Sequence, residues 1–218
     1  FDPGHICNHS DHEGRYAWAR QPNVALWNLH ALAQALLPLI GDTETALAAL
    51  ETYRTVFAGA LSARFSAKLG LDRREDGDPA LADDLLRLMA SSRADFTITF
   101  RALANFDSAA GAANTALRDH FVDREAFDAW ADRYAQRLRR ETGSDAERGA
   151  RMNRVNPKFV LRNHLVEVAI RAASGGDFAE TERLLDILQR PFDEQPESAA
   201  YASFPPEWAQ TIEVSCSS

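Results

Sequence analysis

The sequence predicts a mainly α-helical fold with almost no strand, on three observations. Apolar residues recur at spacings of three and four over several stretches longer than ten residues; Pro, Gly and Asp punctuate those stretches where helices start and stop; and alternating strand patterns are nearly absent. A short extended segment at 211–214 is the single strand signal. No repeat of fixed period is present, which argues against a solenoid.

Residues 1–21 are rich in His, Asp, Gly and aromatics and lack a helical period, so they read as an ordered loop. Pro22 suits a first helical turn, and Val24, Trp27, Ala31, Leu32, Ala35, Leu36 and Leu39 follow at helical spacing, giving an amphipathic helix to about Leu37, ended by Pro38 and Gly41. Asp42 or Thr43 caps a second helix to about Leu69, with Leu47, Leu50, Tyr53, Phe57, Leu61 and Phe65 as its buried stripe and Gly70 as its stop. The Trp27 and Phe57 stripes are expected to be core, because aromatics at helical spacing ordinarily build one. After a charged linker over 72–78, Pro79 opens a third stretch through Leu81, Leu85, Leu88, Met89, Phe96 and Phe100, with a break near Ser91-Ser92.

Residues 107–115 are small and polar, a loop by composition. Asp123 then caps a helix carrying Phe127, Trp130, Tyr134 and Leu138 on one side, and a further apolar face follows it. Asn156-Pro157 is expected to start a helix with Phe159, Val160, Leu165, Val168 and Ile170, ended by Gly175-Gly176; Asp177 begins another to about Gln189. The organisation expected is a loop over 1–21, a helical region over 22–190 and a Pro-rich irregular tail over 191–218, with the helices in one compact unit. Arg190-Pro191-Phe192 and Phe204-Pro205-Pro206-Glu207-Trp208 read as rigid turns that dock the tail on the helices.

Bulk properties narrow the function. The composition, 45% hydrophobic and 26% charged, is that of a globular protein large enough to bury a core. A net charge of −8 repels phosphate backbones, and clusters such as Arg137-Leu138-Arg139-Arg140 are offset by neighbouring acids, so no nucleic-acid partner is expected. The longest apolar run, around Ala31 to Ile40, is short for a bilayer and carries Gln34 and Pro38, so no membrane segment is expected. Two cysteines fit a reducing compartment, and the cytoplasm is the expected location.

The chain carries few recognisable chemical motifs. There is no glycine-rich phosphate loop, no Gly-Lys-Ser/Thr and no catalytic Asp followed by a metal-binding Asn. His5, His9 and His12 with Cys7 and Asp11 offer zinc-type donors at poor spacing, and polar loop residues bonded to their own backbone are the simpler reading; no metal site is assigned. The stretch 151–163 crowds Arg151, Arg154 and Arg162 with three asparagines. Such a helix start can bind a phosphate or carboxylate, and equally its arginines can pair with the acidic C-terminal tail. Cys7 and Cys216 lie near opposite ends of the chain; a disulfide between them requires alpha carbons within about 7 Å and would constrain the unfolded chain by roughly 5 kcal/mol at most.

Several segments taken together resemble the C-terminal part of the selenoprotein O family, called YdiU in bacteria. They are Ile6-Cys7-Asn8-His9-Ser10-Asp11-His12-Glu13-Gly14-Arg15-Tyr16, Gln21-Pro22-Asn23-Val24-Ala25-Leu26-Trp27-Asn28-Leu29, Val155-Asn156-Pro157 with Leu161-Arg162-Asn163, Pro205-Pro206-Glu207-Trp208, and Glu213-Val214-Ser215-Cys216-Ser217-Ser218. The resemblance implies a protein-kinase-like fold of which this chain supplies the helical C-lobe and a C-terminal extension, with 1–21 as an activation-segment-like loop. It implies an enzyme that transfers AMP from ATP, with magnesium, to Ser, Thr or Tyr hydroxyls of protein substrates in the bacterial cytoplasm. The catalytic and metal-binding residues are expected upstream of Phe1, so the chain alone is expected to be inactive and to bind neither ATP nor magnesium. The resemblance also implies a regulatory redox disulfide between Cys7 and Cys216. The reading from another class is a non-catalytic helical protein-interaction domain. Surface covered in a longer polypeptide is expected to lie open in this chain.

Overall fold

The computed structural model describes residues 1–7 and 10–212, and among them there is no strand. The helices are α1 (Gln21–Ile40), α2 (Thr43–Lys68), α3 (Asp78–Ser92), α4 (Phe96–Ala102), α5 (Thr115–Arg118), α6 (Arg124–Leu138), α7 (Asp145–Asn153), α8 (Asn163–Ser174) and α9 (Ala179–Leu188), with 3₁₀ turns at Trp18–Arg20, Leu103–Asn105, Pro196–Ala202 and Glu207–Thr211. Thr211 therefore ends a helical turn where the sequence suggests an extended segment, and 213–214 lie outside the described residues. Contacts divide the chain into two compact units, Asp2–Phe65 and Phe1 with Ser66–Ile212, where the sequence favours one.

The larger unit has a dense core. From α6, Phe127, Trp130, Tyr134 and Leu138 are all buried, as their spacing requires. Asp123 caps that helix by accepting the Ala126 N–H at 2.9 Å. Trp130 stacks on Tyr134 with ring centroids 4.9 Å apart, and Phe106 tilts against Tyr134 at 4.8 Å. The polar tips are satisfied: Trp130 Nε1 donates to the Leu81 carbonyl at 2.9 Å and the Tyr134 hydroxyl to the Leu69 carbonyl at 2.7 Å. The break between α3 and α4 falls at Arg93, whose φ of 50° places it in the left-handed region, one residue after Ser91-Ser92.

Two glycines are required by geometry. Gly70 ends the turn after α2 with φ of 69°, and a side-chain carbon there meets Arg148 Cγ at 2.6 Å and Met152 Sδ at 2.8 Å. Gly149 lets α7 lie directly on the backbone carbonyl of Ala104. Helix α7 opens with a capping box: Ser144 Oγ accepts the Glu147 N–H at 3.2 Å and Glu147 Oε2 accepts the Ser144 N–H at 2.8 Å.

The smaller unit is different. Helix α1 has no buried residue; Trp27 is 56% and Leu39 84% exposed. On α2, Leu47 and Leu61 are exposed, and Leu50, Tyr53, Phe57 and Phe65 are only half-buried. The expected Trp27 and Phe57 cores are thus apolar faces rather than core. Within this unit the Tyr53 hydroxyl donates to the Pro22 carbonyl at 3.0 Å and the Asp42 carboxylate accepts the Thr45 N–H at 2.7 Å. Helix α1 continues through Pro38 to Ile40 because a proline in the last turn removes only one late backbone bond, and the Gly41 N–H closes the helix on the Leu37 carbonyl at 2.9 Å. With that continuation, Trp18–Ile40 is, among the described residues, the stretch long and apolar enough by length and composition to cross a bilayer, although Asn23, Asn28, His30 and Gln34 interrupt it.

A further boundary also moves. Asn156-Pro157 does not start a helix: α8 begins at Asn163, and the intervening segment is irregular, with the Lys158 and Phe159 N–H groups both donating to the Pro191 carbonyl at 2.8 and 3.1 Å. Phe159 is buried there, outside any helix.

Candidate functional site

The described residues of the loop, 2–7 and 10–20, are held by its own polar groups. The Asp11 carboxylate accepts the Arg15 and Tyr16 N–H groups at 2.9 and 2.7 Å, and backbone bonds Trp18 N–H to His5 carbonyl (3.0 Å) and Ala19 N–H to Pro3 carbonyl (2.9 Å) fold the segment back on itself. The Arg20 guanidinium holds the Glu13 and Gly14 carbonyls at 3.0 and 3.3 Å, and Arg15 lies 4.1 Å over the Trp27 ring. A recess of about 400 Å³ opens among Glu13, Arg15, Arg20, Asn23, Val24 and Trp27. Two guanidiniums beside an exposed indole suit a polar or acidic group of a partner.

His5, Cys7 and His12 are exposed in this loop; His9 and Cys216 lie outside the described residues. The structure therefore places one member of the expected cysteine pair. No group of three or more His, Cys, Asp or Glu able to hold a metal ion occurs among the described residues, and the Asp11 carboxylate serves the backbone.

The basic stretch 151–163 resolves into structural pairs, but not with the partners the sequence suggests. Arg151 bonds Asp72 at 2.8 Å and Arg162 forms a two-pronged pair with Asp95 at 2.6 and 3.1 Å, while Lys158 pairs with Glu194 of the tail at 2.9 Å. Burial works against the Asp95 charge, yet the Arg162 pair and the Ile98 N–H hold its carboxyl below the usual range. Asn156 is fully buried and reciprocally tied to Lys68: its amide donates to the Lys68 carbonyl at 2.9 Å and its oxygen accepts from Lys68 Nζ at 3.1 Å. That ammonium also faces the Phe96 and Phe100 rings, and burial holds its pKa below the ordinary lysine value.

Three residues central to this scaffold carry no motif. Arg101 donates to the carbonyls of Asn153, Asn156 and Phe192 and to Glu194 Oε1 (2.8, 2.9, 3.1 and 2.5 Å), gathering α4, the end of α7 with the irregular segment after it, and the start of the tail around one guanidinium. Arg137, buried on α6, bonds Asp78 Oδ1 and Glu141 Oε1, each at 2.6 Å, and the Arg73 carbonyl at 2.5 Å. Buried Arg148 bonds Asp145 and the Phe106 carbonyl. The signal for Arg101 and Arg137 is a basic residue among apolar neighbours on a helix, which demands an internal acceptor.

Comparison with known proteins places this scaffold. Residues 1–189 match the family model described as protein adenylyltransferase SelO. The chain is similar to the protein nucleotidyltransferase YdiU of Burkholderia multivorans (54% identical over 232 residues) and of Paraburkholderia xenovorans (54% over 229), and to that of Burkholderia lata (53% over 232); each alignment covers 100% of this chain and 44% of the relative. The chain thus spans less than half the length of the curated relatives it matches. A family match over most of the chain, together with these identities, leaves one assignment: the chain belongs to the protein adenylyltransferase SelO family.

Proposed function

We propose that these 218 residues are the C-terminal helical part of an enzyme that transfers AMP from ATP to Ser, Thr or Tyr hydroxyls of protein substrates in the bacterial cytoplasm. The observation that carries this reading is the family match over residues 1–189, and the names of the relatives agree with nucleotidyl transfer. The nucleotide- and magnesium-binding groups belong to the larger share of the relatives' length that has no counterpart here, and this chain alone is inactive. The recess among Glu13, Arg15, Arg20, Asn23, Val24 and Trp27 is the part of this chain that meets the substrate protein in this reading. In the full-length enzyme ATP and magnesium supply the transferable group and the charge that stabilises its departure.

Cys7 and Cys216 form the redox disulfide of this reading. The exposure of Cys7 in the ordered loop supports it. An intact bond ties the loop to the chain end and alters substrate access. The test is ATP-dependent AMP labelling of the full-length protein with and without reductant, paired with mass spectrometry of the unreduced protein. Labelling that responds to reductant, together with a Cys7–Cys216 peptide, is expected. No labelling at all overturns the transfer reading, and two free thiols under mild oxidant overturn the switch alone.

A further inference from the structure

The segment after α9 is held by three aromatic side chains, Tyr201, Phe204 and Trp208. The Tyr201 hydroxyl donates to Glu180 Oε1 at 2.8 Å and lies 3.5 Å from the Arg183 guanidinium. Phe204 stands perpendicular to the His120 imidazole at 6.1 Å between centroids, and Trp208 stands perpendicular to His164 at the same separation. Phe204 is 60% and Trp208 43% exposed, so the grip depends on ring-to-ring contact more than on burial. Both histidines belong to the larger unit, His120 just after α5 and His164 on the first turn of α8.

The charges facing the two imidazoles are few. His120 Nδ1 lies 3.2 Å from the Thr99 hydroxyl, with Asp95 and Asp119 facing the ring; His164 faces Arg162. Burial holds both imidazoles below the ordinary histidine pKa; the two aspartates oppose this at His120 without overcoming it, and Arg162 reinforces it at His164. Because Asp95 is itself paired with Arg162, its pull on a proton at His120 is blunted.

We propose that His120 and His164 form a proton-operated latch that holds residues 201–212 on the helices at neutral pH and releases them in mild acid. The neutral ring is the holding form. The latch is therefore fully engaged above the ordinary histidine value of about 6.5 and weakens as pH falls through it towards the depressed values of the docked state. Protonation places a cation at the half-buried His120 contact and, at His164, beside a second cation.

The test is amide hydrogen exchange of the full-length protein at about pH 7.5 and about pH 5.5, corrected for the intrinsic pH effect, with peptides of α6 as the internal reference. Tail peptides over 201–212 are expected to lose protection by about tenfold in acid, since the lower pH lies about one unit below the ordinary histidine value, while α6 is unchanged. In the double variant His120→Gln, His164→Gln that step is expected to vanish. If the double variant loses α6 protection, the single variants His120→Gln and His164→Gln are measured, each expected to shrink the step. A wild-type tail equally protected at both pH values overturns the latch, as does a step that persists undiminished in the variants.

Discussion

Helices α1 and α6 carry the same kind of apolar stripe, yet every principal stripe residue of α6 is buried and none of α1 is. Helix α6 meets α3, the Phe106 ring and the carbonyls of Leu69 and Leu81, which accept its polar tips. Helix α1 offers Trp27, Leu32, Leu36 and Leu39 to open surface. The difference teaches that helical spacing identifies a face, whereas burial needs a second element to cover it.

Substitutions test how deep this contrast runs. Replacing Arg137 with Ala strands the Asp78 and Glu141 carboxylates in the larger unit, and denaturant unfolding is expected to show a loss of about 3–5 kcal/mol. Gly149→Ala drives a methyl group into the Ala104 carbonyl and is expected to cost about 1–3 kcal/mol by the same measurement. Ser144→Ala removes the α7 cap, for about 1 kcal/mol. At the small end, Leu39→Gln on α1 is expected to leave the stability of this chain within about 0.5 kcal/mol while reducing self-association in sedimentation. A cost for Leu39→Gln as large as that for Arg137→Ala would break the contrast between the two regions.

Acid supplies another probe. The Asp95 carboxyl is held below its ordinary range in the fold, so its contribution is present above the ordinary aspartate pKa and disappears as pH falls through the depressed value. Asp95→Asn is expected to flatten the acid limb of a stability–pH curve; an unchanged limb would remove Asp95 from the account.

Much of the fold is legible in the sequence because its punctuation is local. Asp123, the break after Ser91-Ser92 and the glycines near 175 act on their own neighbours, and the helices they bound lie where those residues indicate. Pro38 and Pro157 mislead for opposite reasons: the first sits so late in its helix that continuation costs little, and the second follows an asparagine that is consumed by a remote lysine. The pairs of Arg151, Arg162 and Arg101 join residues 52 to 93 positions apart, and no local pattern encodes such partners. The family, by contrast, is legible from ordered short segments. The loop's self-bonding around Asp11 follows the simpler of the two sequence readings.

One carboxylate described above serves two masters. Asp95 caps α4 through the Ile98 N–H at 2.9 Å and with the same oxygens grips Arg162, the residue immediately before α8. The start of one helix and the approach to another, 67 residues later, are thereby synchronised. Substitutions at Asp95 and Arg162 will not sum: a double-mutant cycle should return a coupling of about 0.5–3 kcal/mol, the signature of two helix origins sharing a single anchor.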